Sequence, residues 1–293
     1  MPMRKFYGID VGGTTVKLGL FSETELLEKW EIPTDHTNSG ANIVRDIARS
    51  LRGPADGAAI GVPGAVLRDG TVNRCVNLGW GVCRPGDEFT ALTGIPCRMA
   101  NDANIAAMGE QWQGGGEGFA SILLVTLGTG VGGGLIHHGH IITGAHGAAA
   151  EIGHICVEPT EAETCGCGNR GCLEQYCSAT GISRLAKRAG LGDITAKDVF
   201  DRAAAGDADA LAVADLACDY LGRGIAACCA VIDPEAVVLG GGVSKAGEFL
   251  RVRVEEAFRK YAFHACRETQ IRLATLGNDA GIFGAARLAM RLG

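Results

Sequence analysis

A strand, a glycine-rich turn and a second strand occur twice in this chain, and that recurrence restricts its fold more than any other feature. Tyr7–Val11 alternates as a strand, Gly12-Gly13-Thr14-Thr15 turns, and Val16–Phe21 alternates again. Ile122–Leu127 is a second β-rich apolar run, and it ends in Gly128-Thr129-Gly130-Val131-Gly132-Gly133-Gly134. The two halves therefore open alike, a weak internal repeat that predicts two phosphate-facing hairpins set opposite each other. Between and after them the periodicity is helical. Ala41–Leu51 carries Ile43, Ile47 and Leu51 on one face, and Asn104–Trp112, Ser178–Ala189, Thr195–Ala205, Asp207–Val231 and Ala246–Tyr261 also read as helices. A last helix starts near Ala280. Ala58–Val62 and Ala236–Leu239 are short buried strands, closed by Pro63-Gly64 and Gly240-Gly241-Gly242. Strands alternating with helices predict an α/β fold in two lobes. The Gly114–Gly118 run predicts a hinge, with a smaller lobe over 1–116, a larger one over 117–279, and the terminal helix 280–293 packing back on the first.

The bulk properties exclude several classes. A chain of 293 residues, 47% hydrophobic, has ample material for a core, and its net charge of −6 argues against a basic nucleic-acid-binding surface. No apolar run is long enough for a membrane span, and the charged start Met1–Lys5 does not read as a signal peptide. Twelve cysteines without such a signal point to a reducing compartment, so a soluble cytoplasmic protein is expected.

The glycine turns have chemistry to offer. Gly12 and Gly13 allow close backbone approach and Thr14 and Thr15 supply hydroxyls for phosphate oxygens, while Asp10 is placed to hold a hydrated magnesium ion. An ordinary Gly-Gly hairpin satisfies the same residues. The second turn matches G-x-G-x-x-G, but a dinucleotide site needs a helix directly afterwards. Leu135-Ile136-His137-His138-Gly139 is β-like instead, so the turn reads as another phosphate-facing hairpin. Gly240-Gly241-Gly242 suits a strand-to-helix passage against which a nucleotide can lie flat. Asn101-Asp102 opens a helix, where the macrodipole favours an anionic carboxylate; locally that pair reads as a helix cap, and the company of two phosphate hairpins promotes Asp102 to catalytic candidate.

The segment Glu151–Glu174 gathers His154, Cys165, Cys167 and Cys172, the ligand types of a closed tetrahedral zinc site, with glycines that let the backbone turn between the sulfurs. Spacing alone favours zinc over reduced loop thiols without deciding it. Such a site draws Glu151 and Glu174 to one locality. A metal-bound His154 keeps its other ring nitrogen for a ligand hydroxyl, and two carboxylates beside it suit a sugar. His137, His138, His140 and His146 read as loop and surface histidines.

Taken in order, Asp10-Val-Gly-Gly-Thr-Thr15, Gly61-Val-Pro-Gly64, Asn77-Leu-Gly-Trp80, Asn101-Asp-Ala-Asn104, Leu127–Gly134, Glu151-Ile-Gly-His154, Cys165–Glu174, Leu239-Gly-Gly-Gly242 and Leu276-Gly-Asn-Asp-Ala-Gly281 resemble the bacterial sugar kinases of the ROK family, above all its glucokinases. The resemblance spans nearly the whole chain. It implies a two-lobed actin-like (ribonuclease H-like) ATPase fold with the active-site cleft between the lobes, and phosphorylation of glucose by ATP. It implies sugar contacts at Gly64, Asn101, Asp102, Glu151, His154 and Glu174, with Asp102 as the general base for the attacking sugar hydroxyl. Phosphate contacts fall by resemblance on Gly12, Thr14, Thr15, Lys17, Thr129 and Gly130, and Gly241 and Gly242 sit beside the adenosine. Zinc on His154, Cys165, Cys167 and Cys172 is then structural, so losing a cysteine should weaken sugar binding and spare the nucleotide side. A homodimer, or a tetramer, is expected without nucleic-acid or membrane partners. One departure concerns the sugar: the family carries glycine before the glutamate of E-x-G-H, and here Ala150 precedes Glu151. The methyl is expected to tighten the pocket. Kinases for mannose, fructose or an N-acetylhexosamine such as N-acetylmannosamine, with polyphosphate as another donor, stay as alternatives. A sugar-sensing regulator is the remaining rival. A DNA-binding one would place a helix-turn-helix before the first hairpin, and the hairpin at Tyr7 leaves no room for it.

Overall fold

The computed structural model describes residues 3–292, so Met1, Pro2 and Gly293, the outer limits of the expected lobes, lie outside the described residues. The chain opens with strands β1 (Phe6–Val11), β2 (Thr15–Phe21) and β3 (Leu26–Pro33), then helix α1 (Ile43–Ser50) and strands β4 (Gly57–Val62), β5 (Ala65–Val66) and β6 (Val72–Arg74). Helix α2 (Pro85–Thr93), strand β7 (Cys97–Asn101) and helix α3 (Asp102–Gln113) follow, and then strands β8 (Ile122–Leu127), β9 (Val131–His137) and β10 (His140–Ile141). Helices α4 (Glu174–Cys177), α5 (Ala179–Arg188), α6 (Ala196–Ala204) and α7 (Ala208–Ile232) lead to strand β11 (Ala236–Gly240), helix α8 (Glu248–Tyr261), strand β12 (Gln270–Leu273) and helix α9 (Ala280–Ala289).

Two five-stranded sheets share one plan. Their orders are β3-β2-β1-β4-β7 and β10-β9-β8-β11-β12. In each, the founding strand is flanked on one side by its hairpin partner and on the other by two parallel strands: β1 pairs antiparallel with β2 and parallel with β4, and β8 pairs parallel with β11. The repeated hairpin seen in the sequence is thus the visible part of a duplicated sheet.

The chain divides into two compact units, one of residues 1–118, 134–149 and 278–293 and the other of 119–133 and 150–277. The division passes through β9. It assigns 134–149 to the first unit, where the sequence reading keeps that stretch with the second. The first unit is built round Tyr7, Ile9, Leu18, Ile47, Ile60 and Phe89. Its helices α3 and α9 meet backbone to backbone: a Cβ at Gly284 would stand 1.6 Å from the Ile105 carbonyl oxygen, and one at Gly109 2.2 Å from that of Ala280. The second unit has its own core, in which Leu123, Val125, Leu173, Ile225, Val237 and Phe258 are buried.

The Gly114–Gly118 run follows directly on α3. Gly114 and Gly116 donate to the Glu110 carbonyl and Gly115 donates to its carboxylate at 2.8 Å, so these glycines wrap a buried glutamate at the end of α3. Among the described residues no helix is long and apolar enough to cross a membrane.

Candidate functional site

In parallel α/β sheets the functional groups collect beyond the carboxyl ends of the strands, and both sheets follow that rule. In the first unit, Asp10 pairs with Gly61 across β1 and β4, and Val62 pairs with Asn101 across β4 and β7. Asp10, Gly64, Asn101 and Asp102 therefore stand at one sheet end. The turn after β1 is held by its own carbonyls. Thr34 Oγ1 donates to Gly12 O at 2.8 Å, the Thr34 amide donates to Thr14 O at 3.0 Å, and the His36 ring bonds Gly13 O. The acceptors of Gly12, Gly13 and Thr14 are thereby occupied by the body of the unit, an arrangement suited to a loop that faces an anion. Thr34 and His36 carry no motif signal, because β3 brings them there from outside the hairpin.

Asp10 is directly opposite Lys17 in the hairpin register. Burial, and next the negative charge of Asp102, push its carboxyl up to about 6, against the pull of Lys17. Lys17 donates through Nζ to the Asn278 carbonyl at 2.8 Å. The first turn of α9 closes on the same carboxylate: a Cβ on Gly281 would lie 2.4 Å from Asp10 Oδ2. Asn278 and Gly281 belong to the Leu276–Gly281 motif, whose purpose the sequence leaves open; here it positions Lys17 and Asp10.

At Asn101-Asp102 the capping role falls to Asn101. Asn101 has the extended backbone of an N-cap, and its Oδ1 accepts from the amides of Ala103 at 2.9 Å and Asn104 at 3.2 Å. Its Nδ2 donates to Gly64 O at 3.2 Å and to Asp102 Oδ1 at 2.9 Å. Asp102 is thus the first helical residue, its carboxylate oriented by Asn101 and by the Ala103 amide. Gly64 acts here through its carbonyl.

In the second unit the turn after β8 is closed by a Gly128 amide bond to Gly130 O at 3.0 Å, and the Ala179 amide at the start of α5 donates to Gly128 O. Thr129 and Gly130 lie in that turn, and β9 follows it directly, so no helix of the dinucleotide type is present there. Gly241 has φ +85° and would place a Cβ 2.5 Å from Leu127 O, so only glycine lets the loop after β11 cross the end of β8. Beside it Thr195, Lys197, Phe200, Gly242, Val243 and Ala246 line a cavity of about 290 Å³. The residues from α6 are absent from any motif read in the sequence.

The four metal candidates converge. Ligand atoms of His154, Cys165, Cys167 and Cys172 all lie within 4.8 Å of one another. Cys167 Sγ and Cys172 Sγ are 3.6 Å apart, close to the edge of about 3.8 Å expected for a tetrahedron with Zn–S bonds of about 2.3 Å. The donor set fits zinc. Burial raises the Cys165 thiol to about 12 and also raises Cys172, whereas the Asn169 amide draws Cys167 down. A coordinated cation reverses that preference, since a ligating thiol is deprotonated.

Glu174 ties this cluster to the turn. Its Oε1 accepts from Cys165 Sγ at 2.8 Å and lies 3.8 Å from His154 Nδ1, while a Cβ on Gly130 would come within 2.8 Å of its Oε2. Glu174 thus links the histidine–cysteine cluster to the turn after β8, a connection that the sequence does not reveal. Glu151 precedes the short helical turn of His154, which Gly153 seats against Val131 O. Ala150 adopts φ +64°, a left-handed conformation that costs an L-residue about 1–2 kcal/mol. A glycine at this position would adopt the same backbone without that cost. Of the other histidines, His137 ends β9, His138 takes the left-handed turn after it with φ +47°, and neither joins the metal cluster.

Duplicated sheets with glycine turns at their carboxyl ends define an actin-like ATPase fold. The ROK family profile matches residues 6–291. Glucokinase from Halalkalibacterium halodurans is 43% identical, over 97% of this chain and 94% of its own, and glucokinase from Thermotoga maritima is 38% identical over 98% of both. Among solved structures, a ROK hexokinase from Thermus thermophilus superposes with a TM-score of 0.86 at 32% identity, covering 98% of both chains. A ROK glucokinase from Streptomyces griseus, in complex with glucose and AMPPNP, gives 0.78 at 33%, covering 98% of this chain and 99% of its own. This chain belongs to the ROK family.

Proposed function

We propose that this protein is a glucokinase, transferring the γ-phosphoryl group of ATP to the 6-hydroxyl of glucose. The observation that carries the reading is the pairing of Asn101 with Asp102: one residue caps the helix, and the other presents an oriented carboxylate at the sheet end that holds Asp10 and the first glycine turn. Asp102 takes the proton of the attacking hydroxyl as its oxygen bonds phosphorus, and the Asn101 amide holds the carboxylate for that transfer. Gly12, Gly13, Thr14 and Thr15 in the first unit, and Thr129 and Gly130 in the second, are the phosphate contacts in this reading. Lys17, seated on Asn278, offsets negative charge beside Asp10. Gly241 and Gly242 border the adenosine, with Phe200 and Val243 as the apolar walls of its cavity.

Gly64, Asn101, Glu151, His154 and Glu174 bind the sugar hydroxyls together with Asp102. Asp10 would hold hydrated magnesium, which supplies charge neutralisation to the phosphates when bound. His154, Cys165, Cys167 and Cys172 would hold a structural zinc ion, which when bound fixes the His154 ring; four protein ligands leave no position for a reacting water. On the family resemblance the working form is a homodimer in the cytoplasm, a compartment in which twelve unpaired cysteines persist.

A coupled assay of ATP consumption over glucose, mannose, fructose and the N-acetylhexosamines tests the substrate. The expected result is the highest kcat/KM for glucose. A higher value for N-acetylmannosamine or another sugar would replace glucose in this reading and leave the kinase chemistry standing.

A further inference from the structure

Cys156 stands outside the four-residue cluster yet directly opposite one of its members. Residues 155–157 and 171–173 run antiparallel. The Val157 amide donates to Gly171 O at 2.8 Å, the Leu173 amide donates to Ile155 O at 2.9 Å, and Cys156 faces Cys172 between those two bonds. That is the non-hydrogen-bonded position of an antiparallel pair, where Cα atoms are about 4.5 Å apart and the two side chains share a face. A separation of that size is within the range a disulfide accepts, about 4.4–6.8 Å. Access to the two thiols differs: Cys156 is exposed and Cys172 is buried. The sulfur of Cys156 already leans along the partner segment, 3.3 Å from where a Cβ on Gly171 would sit.

We propose that Cys156 and Cys172 form an oxidative modification site that opens the metal cluster. The oxidant class is a hydroperoxide. The exposed Cys156 thiolate attacks one oxygen of hydrogen peroxide, the O–O bond breaks, and hydroxide leaves a sulfenic acid on Cys156. The Cys172 thiolate then attacks that sulfur, the S–O bond breaks, a second hydroxide leaves, and the S–S bond forms. The two thiols together give up two electrons and two protons, and the peroxide ends as two waters. Cys172, now uncharged, no longer serves as a ligand, and His154, Cys165 and Cys167 are left as an incomplete set. A dithiol reductant reverses the step by exchange. The cross-link stands on the strand pairing alone; what it releases rests on the zinc reading proposed above.

Full-length protein purified under reducing conditions is assayed for zinc and then treated with hydrogen peroxide. Zinc release is followed with a chromogenic chelator, and the linked cysteines are identified by peptide mass. The expected result is release of zinc in step with a Cys156–Cys172 cross-link, and recovery of both by dithiol with added zinc. Cys156→Ser should keep basal glucose phosphorylation and slow the release about tenfold or more. Release from Cys156→Ser at the wild-type rate, or a cross-link that joins Cys165 to Cys167, would overturn the proposal. A sample that starts without zinc overturns the zinc reading alone, and the peptide map still decides the cross-link.

Discussion

Asp10 imposes a local cost on the fold. Its carboxyl is raised from 3.8 to about 6, chiefly because it is buried. The folded-state value lies above the unfolded one, so the stabilising contribution is complete below 3.8 and lost as pH rises through 6. Above that pH the folded protein carries a buried anion at a cost of up to about 3 kcal/mol. Asp10→Asn should therefore raise stability by about 1–3 kcal/mol at pH 8 in magnesium-free buffer, with little gain at pH 4. Urea titrations at the two pH values check this, and equal midpoints for both proteins at pH 8 would refute it. The same variant should lose most of its phosphoryl transfer. Ala150 is a second local cost: its left-handed backbone is visible only in the folded chain.

At the level of elements, the contact between α3 and α9 sets the position of two carboxylates, those of Asp102 and Asp10. Asp102 opens α3 and the first turn of α9 closes on Asp10. Because Gly109 and Gly284 bring the helix backbones together, even one methyl group has no room. Gly284→Ala should cost about 1–3 kcal/mol, as overpacked cores do, and should lower kcat as well as the denaturation midpoint. Unchanged stability would show that the helices can separate at no cost. The metal segment makes a comparable prediction. Cys167→Ser should abolish stoichiometric zinc and raise KM for the sugar, with KM for ATP unchanged. Cys165→Ser should disturb both, because Glu174 connects Cys165 to Gly130. An identical response of the two variants would argue that Glu174 is not a link.

At the scale of the whole molecule, legibility followed the physics of each signal. The two hairpins, the long helix α7 and the histidine–cysteine segment announce themselves through periodicity or residue type, and they lie where the sequence puts them. Strand β3 does not, since Glu28, Lys29 and Glu31 give an exposed, charged edge with little apolar alternation. The strand orders were equally hidden: parallel pairing of β1 with β4 and of β8 with β11 joins residues far apart in the chain, and no local pattern encodes it. For the site, glycine motifs marked the turns, but not Thr34, His36 or the α6 residues at the cavity, which tertiary packing delivers. The capping role of Asn101 was readable as a pair property and became specific to one residue only in three dimensions.

Asp102 is proposed as the base for phosphoryl transfer by this ROK-family chain, and steady-state kinetics with calorimetric glucose binding of Asp102→Ala test that role. The expected variant is a folded protein that still binds glucose, with kcat reduced by about 10²–10⁴-fold. A variant that turns over at a near-normal rate would contradict it.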